Sequence, residues 1–507
     1  MNNKRLTISI ISNIVSVGVA LGVSFWLTPY LLNSLGKEAY SFYPLANNFV
    51  SYMTIVTSAL NSMASRFITI EIVKNNMKKV HTYFSSLFYA NIILSILLMI
   101  PMIFIIVCID SILNVPENLV GDVQILFAGI FVAMIVNLLF SVFGIATFAK
   151  ERMDWRAGRE IGQNILRAVL YVVLFVWFRP TIIFLGIIAV IVAIMNGIVQ
   201  YIFSRKLMPE YRVKVSEFDK RAVLELIKSG VWNSVNDLGS LLTMSVSTLL
   251  ANMLLGAGKA GDLSIIQTVP TFLRTIISAI YGVLLARINV VYANGDNHRT
   301  VNYVKKTQKI LGIICTVPAT LIVAFGEYFF RLWVPAENAE YLQILSAITV
   351  FPLLIHSTMW TVYGLNVTNN KLKAPALFLI LTGVISVFLS VWLIRYTNLG
   401  VYAITISSSI CNGFYYLLFL PTYTAKKIKV NVMTFYHHII KSLLFTTVMI
   451  GVCMFVVDGF RIQLDSWIKF IFACCVAEVF GVVLYLLIVC SREDRKNVCN
   501  AIKHVFI

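Results

Sequence analysis

The chain has 507 residues, 59% of them hydrophobic and only 13% charged, with a net charge of +18. A mean hydropathy of +0.84 means more apolar surface than a soluble core can absorb, which excludes a water-soluble enzyme and leaves no room for a large extramembrane domain. An all-α polytopic membrane protein is predicted, because a bilayer core tolerates helices of about 20 apolar residues but not unpaired backbone.

Fourteen apolar segments follow in order: 8–33, 41–71, 83–108, 123–148, 161–178, 181–204, 230–254, 263–292, 308–330, 343–366, 374–395, 399–424, 437–457 and 467–490. Residues 1–6 run straight into the first without a small-residue cleavage site, so no cleavable signal peptide is expected. Lysine and arginine are unevenly spread. The N-terminus, the even-to-odd connections and the tail hold 29 of them, and the odd-to-even connections hold six. Positive residues stay on the cytoplasmic side, so both termini are placed in the cytoplasm. The same asymmetry accounts for the basic charge without a nucleic-acid partner. Residues 205–228 form the longest cytoplasmic connection, and their second part is amphipathic, suited either to the membrane surface or to a plain solvated linker.

Several features carry no chemistry. The eight cysteines lack CxxC or metal-ligand spacing and read as packing residues. Cys474 and Cys475 point to different helix faces, which argues against a disulfide. His437 and His438 read as interfacial rather than metal-binding. No GxxxxGK[ST] loop occurs, so the chain supplies no ATPase of its own. The NVT at 366–368 falls on the cytoplasmic side and is discounted as a glycosylation acceptor.

An internal repeat divides the chain. Val115, Pro116, Gln124, Ile125, Leu126 and Ala128 recur as Val334, Pro335, Gln343, Ile344, Leu345 and Ala347. More weakly, Ala39, Thr54, Ile55 and Arg66 match Ala260, Thr275, Ile276 and Arg287. The predicted organisation is an N-terminal lobe of six spans (1–204), the linker (205–228), a C-terminal lobe of six spans (229–429), and an added pair of spans with a cytoplasmic tail (430–507). Six spans per lobe give both copies the same orientation, hence a pseudo-twofold axis along the membrane normal and a cleft between lobes where a transporter binds its substrate. The repeated Val-Pro turns fall on the outer face and read as structural.

The stretches TPYLLNSLGKEAYSFYPLANNF (28–49), ALNSMASRFITIEI (59–72), SGVWNSVNDLGSLL (229–242), LLGAGKAGDLSI (254–265), VVYANGD (290–296) and GVYAI (400–404), in this order among fourteen spans, resemble the Wzx-like polysaccharide-export flippases of the MATE-like MOP superfamily. One departure is Leu284-Leu285-Ala286 where a proline is expected late in span eight, which bears on how that span bends. The resemblance implies a transporter that flips an undecaprenyl-pyrophosphate-linked oligosaccharide from the inner to the outer leaflet of a bacterial cytoplasmic membrane, by alternating access. It further implies no cofactor, a gradient of H+ or Na+ as a candidate driving force, and membrane lipids, a polysaccharide polymerase and glycosyltransferases as partners. A cation-coupled drug or metabolite exporter of the same superfamily is the alternative. A membrane glycosyltransferase is disfavoured, since no large extramembrane loop with catalytic residues is present.

Ionisable residues inside spans cost about 2.5–3.5 kcal/mol on insertion scales and so need a reason. Arg274 lies about 16 Å along span eight at ~1.5 Å per residue, beyond easy snorkelling, and is assigned to the cavity or to a buried pair. Arg66, Arg287 and Arg167 sit about two turns or less from span ends, where snorkelling competes with a cavity role. Their positive sign suits a pyrophosphate, which an arginine's planar fork of donors recognises. Asn47, Asn233 and Asn236, with Asn48, Ser51, Tyr52, Asn61 and Gln267, offer groups for sugar hydroxyls or for bonds between helices. Asp237 and Glu478 are candidate ion-coupling acids, and Lys441 and Lys469 read as interfacial anchors. Pro270, four residues before Arg274, permits a kink there.

Overall fold

The computed structural model describes residues 3–150, 152–210, 212–293, 297–369, 371–459 and 464–495, and within them the chain is helical without strands. In order the helices are α1 (Asn3–Leu35), α2 (Lys37–Asn61), α3 (Ala64–Val73), α4 (Met77–Val107), the single turn α5 (Ile109–Ile112), α6 (Val120–Ala149), α7 (Met153–Trp177), α8 (Ile183–Leu207) and α9 (Lys220–Leu255). There follow α10 (Ala257–Ala293), α11 (Asn297–Trp333), α12 (Ala339–Thr368), α13 (Lys373–Tyr396), α14 (Val401–Phe414), α15 (Leu420–Ile428), α16 (Met433–Gly459) and α17 (Trp467–Ile488). A π-helical turn, Tyr415–Phe419, joins α14 to α15.

Twelve helical segments among the described residues are long and apolar enough to cross a membrane. The two remaining expected spans are α2 and α10. At 25 and 37 residues they reach about 38 and 55 Å, long enough to cross. Polar residues such as Asn47, Asn48 and Asn61 set α2 apart, whereas α10 is on average as apolar as α9, which is among the twelve. The expected span 41–71 is also broken: α2 ends at Asn61 and α3 starts at Ala64. Beside the break, Asn61 and the fully buried Asn91 exchange amide hydrogen bonds at 3.0 and 3.1 Å, and Asn91 also donates to the Leu138 carbonyl at 3.2 Å.

Contacts group the chain into two compact units, residues 1–264 with 379–387, and residues 265–378 with 388–507. Compactness groups the chain by contact, whereas the boundaries at 1–204 and 229–429 group it by sequence duplication. In the first unit α6 packs along α8, α1 along α7, and α2 along α9. With no hydrophobic gain between helices in lipid, close packing needs small residues. A Cβ at Gly129 would stand 2.6 Å from the Gly186 backbone, and one at Gly230 would stand 2.0 Å from the Ala59 carbonyl oxygen.

Leu35-Gly36 and Leu255-Gly256 both turn one helix into the next, with Gly36 at φ 81° and Gly256 at φ 96°, a region that favours glycine. An ion pair ties the two corners: Lys37 Nζ lies 2.9 Å from Asp262 Oδ1 and Lys259 Nζ 3.5 Å from Oδ2, with Asp262 buried. The repeated Val-Pro pairs fall in matching connections, Val115-Pro116 before α6 and Val334-Pro335 before α12.

In the second unit α11 packs along α12, α16 and α17, over a core that includes Val317, Phe445, Met449 and Tyr485. So the added C-terminal pair, α16 and α17, is built onto α11. The chain after α17 is fixed by Asp494, whose Oδ2 accepts from Lys309 Nζ at 2.5 Å and from Ser491 at 2.6 Å. Burial works against the Asp494 charge, but these donors outweigh it and hold the carboxyl down at about 2. The stabilisation is therefore complete above the unfolded carboxylate value near ~4 and is lost as pH falls through about 2. Asp494→Asn should cost about 1 kcal/mol at neutral pH after solvent screening. In thermal melts of the purified protein, the gap between wild type and variant should close as pH falls to about 2. A gap that persists there would detach the effect from this carboxylate.

Candidate functional site

Arg274 is the centre of the candidate site, and the second unit by itself builds its surroundings. It lies four residues after Pro270 on α10 and is half-buried. Cys315 of α11, His356 of α12 and Tyr416 of the π-helical turn lie within electrostatic reach of its guanidinium. The rings form a continuous wall. His356 stacks on Tyr416 with centroids 4.1 Å apart and meets Trp360 at 5.0 Å, while Trp360 stacks on Tyr281 at 5.5 Å. Both His356 and Tyr416 are buried. The π-helical turn begins at Tyr415 and carries Tyr416, whose ring meets that of Tyr415 edge to face at 4.8 Å; such turns are often found at functional sites. A planar cation beside flat, hydroxyl-rimmed rings can bind a phosphate by forked hydrogen bonds.

Arg274 was legible as a mid-span charge, but its ring partners were not singled out. His356 carried a signal, since a histidine in the middle of a span is as unusual as an arginine. Tyr281, Trp360 and Tyr416 carried none, because aromatic residues in spans are commonplace.

The other candidates are distributed differently. In the first unit, α2 and α9 bring Asn47, Asn233, Asn236 and Asp237 onto neighbouring helices. Asn47 is exposed and donates to the Tyr43 carbonyl of its own helix at 2.8 Å. Asn233 and Asn236 are half-buried, and Asp237 is exposed beside Ser58. Asn48 and Tyr52 donate to the Ser245 carbonyl at 3.4 and 3.0 Å, so they join α2 to α9. Asn61 is committed to the Asn91 knot. Arg66 is exposed on α3. Arg167, on α7, donates to Asn164 of the preceding turn at 2.9 Å. Arg287 lies on the α10 backbone, with its side chain outside the described residues. Glu478 is half-buried on α17 near Cys474, in the second unit but on a different helix pair from Arg274.

A second feature of the second unit is an apolar groove of about 460 Å3 lined by Phe325 of α11, Val452 and Val456 of α16, and Phe472, Val476 and Phe480 of α17, with Lys469 among its lining residues. It is suited to hydrocarbon. No group of His, Cys, Asp and Glu suited to a metal ion occurs among the described residues.

Comparisons with known proteins agree with this architecture. The sequence profile of a family described as "Polysaccharide biosynthesis protein" matches residues 6–289, more than half of the chain. The chain is 27% identical over 504 residues to the uncharacterized membrane protein EpsK of Bacillus subtilis (strain 168), covering 97% of each. Among solved structures it is similar to the lipid II flippase MurJ in an inward closed conformation, with a TM-score of 0.63 at 14% identity, covering 94% of this chain and 97% of that one. It is likewise similar to an inward-facing multidrug resistance MATE family transporter of the MOP superfamily, with a TM-score of 0.65 at 16% identity over 84% of this chain and 97% of that one.

Proposed function

Because the chain belongs to the polysaccharide biosynthesis protein family, we propose that it flips an undecaprenyl-pyrophosphate-linked oligosaccharide from the inner to the outer leaflet of the cytoplasmic membrane. The observation that carries this reading is Arg274: a half-buried cation midway along α10, walled by His356, Trp360 and Tyr416. It supplies a phosphate-binding fork where a bilayer otherwise disfavours charge. The similarity to a lipid II flippase supports a lipid-linked cargo at the level of fold. The apolar groove against α16 and α17 is suited to the polyprenyl chain while the head group is carried across.

Transport proceeds by alternating access, with both termini in the cytoplasm and Asp237 or Glu478 as the acid that couples to an H+ or Na+ gradient. The polar side chains Asn47, Asn233 and Asn236 meet sugar hydroxyls, with Arg66, Arg167 and Arg287 adding positive charge. Glycosyltransferases supply the cargo and a polymerase consumes it.

A deletion strain tests the reading. Lipid-linked oligosaccharide should build up on the cytoplasmic face and surface polysaccharide should fall, both reversed by restoring the gene. Normal polysaccharide with raised drug sensitivity would instead favour a drug exporter, the activity named for the MATE-type structure.

A further inference from the structure

A groove of about 610 Å3 lies between α7 and α8, wholly within the first unit and remote in sequence from the Arg274 site. One end is basic, lined by Arg159, Lys206 and Asp154. The nearby acids are already engaged. Asp154 accepts from Arg152 at 2.9 and 2.8 Å. Glu160 accepts from Arg156 at 2.9 Å and from Ser16 at 3.3 Å. Arg159 is left with a 3.7 Å contact to Glu160, although its side chain is only 15% exposed. Its buried Nε has no hydrogen-bond partner. An unsatisfied, largely buried guanidinium N–H is costly unless something outside the protein accepts from it. Lys206 stands exposed in the last turn of α8.

The remainder of the groove has a different chemistry. Leu166, Val192, Met195 and Val199 line it, with Gln163 and Asn196 as its polar members. Gly158 and Gly162, one turn apart on α7, leave open space where a Cβ would meet nothing within 4 Å. At the basic end, Trp155 packs against Phe203 with centroids 4.8 Å apart, and tryptophan favours the membrane–water boundary. By the charge asymmetry of the chain, this end faces the cytoplasmic leaflet. A basic pocket between spans on that side, continuous with a mostly apolar channel, is complementary to a lipid that carries a phosphate.

We propose that the α7–α8 groove binds a phosphate-bearing lipid, with the phosphate on Arg159 and Lys206 and the hydrocarbon chain over Gly158 and Gly162. Two sources share this chemistry, an anionic phospholipid of the inner leaflet and a polyprenyl phosphate. The site uses none of the Arg274 residues, so it stands apart from the flipping reading.

Native mass spectrometry of the full-length protein in detergent tests it, with phosphatidylglycerol, undecaprenyl phosphate and phosphate-free diacylglycerol as probes. Wild type should retain a phosphate lipid about tenfold better than diacylglycerol. Arg159→Gln/Lys206→Gln, which removes the charges, and Gly162→Leu, which fills the channel but keeps them, should each lose about tenfold, a change of ~1.4 kcal/mol. Preference for phosphatidylglycerol would assign the groove to bilayer lipid, and preference for undecaprenyl phosphate to the cargo side. Equal retention of diacylglycerol, or unchanged retention in either variant, would overturn the proposal. Melting curves establish that each variant is folded; should the charge variant not fold, Gly162→Leu decides alone.

Discussion

Arg274→Ala is expected to abolish polysaccharide export while the protein still accumulates in the membrane. An intramembrane arginine opposes insertion by about 2.5–3.5 kcal/mol, so its removal should not hinder assembly of α10. Hydrogen bonds to a charged group contribute roughly 1.5–3 kcal/mol each. Losing the fork should therefore weaken cargo binding by one to two orders of magnitude at least. Arg274→Lys keeps the charge but presents a compact ammonium instead of a planar fork, and should restore export only in part. Export rate normalised to membrane protein level is the measurement. Wild-type export in the alanine variant would remove Arg274 from the mechanism. A fall in protein level matching the fall in export would make its role structural, as a partner of the His356 and Tyr416 rings.

Gly230→Val should unseat α9 from α2 and give the largest loss of stability among single substitutions in the first unit. A Cβ there would lie 2.0 Å from the Ala59 carbonyl oxygen and 2.9 Å from the Ser62 hydroxyl. A backbone carbonyl cannot turn aside as a flexible side chain can, so the helices must separate. Overpacking typically costs 1–3 kcal/mol, and a contact this short with backbone should put the cost at about 3 kcal/mol or more. Asn233, Asn236 and Asp237 lie one to two turns further along α9, so export should fall too. Gly22→Ala is the control: its Cβ would meet nothing within 4 Å, and replacing a helical glycine there should be neutral or stabilising by about 0.5–1 kcal/mol. Equal melting temperatures for the Gly230 and Gly22 variants would show that the α2–α9 approach is not close.

The two substitutions probe features that were unequally legible. Arg274 could be picked out from one residue, because a charge near mid-span is rare enough to need a reason. The importance of Gly230 could not, since the Ala59 carbonyl that excludes a side chain there comes from another helix. The same applies to Asn61. Its type suited a sugar contact, but the fold places it opposite Asn91, where the two amides satisfy one another. The break between α2 and α3 was hidden as well, because the apolar pattern of 41–71 runs on past Asn61 while the hydrogen-bonded helix does not.

Bilayer physics acts on each segment independently, and for that reason the sequence alone determined a great deal. Apolar length gave the helices, charge asymmetry their expected orientation, and the Val115-Pro116 and Val334-Pro335 recurrence the duplication, without reference to any long-range contact. Tertiary structure decided what depends on two segments meeting. It stacked His356 on Tyr416 beside Arg274, seated the C-terminal pair on α11, and joined the two glycine corners through Lys37 and Asp262. It also left Arg159 largely buried against a groove that neither α7 nor α8 reveals by itself. Lipid offers no hydrophobic force to select among helix faces, so partner choice rests on close fit and polar pairing, which one segment's sequence does not encode.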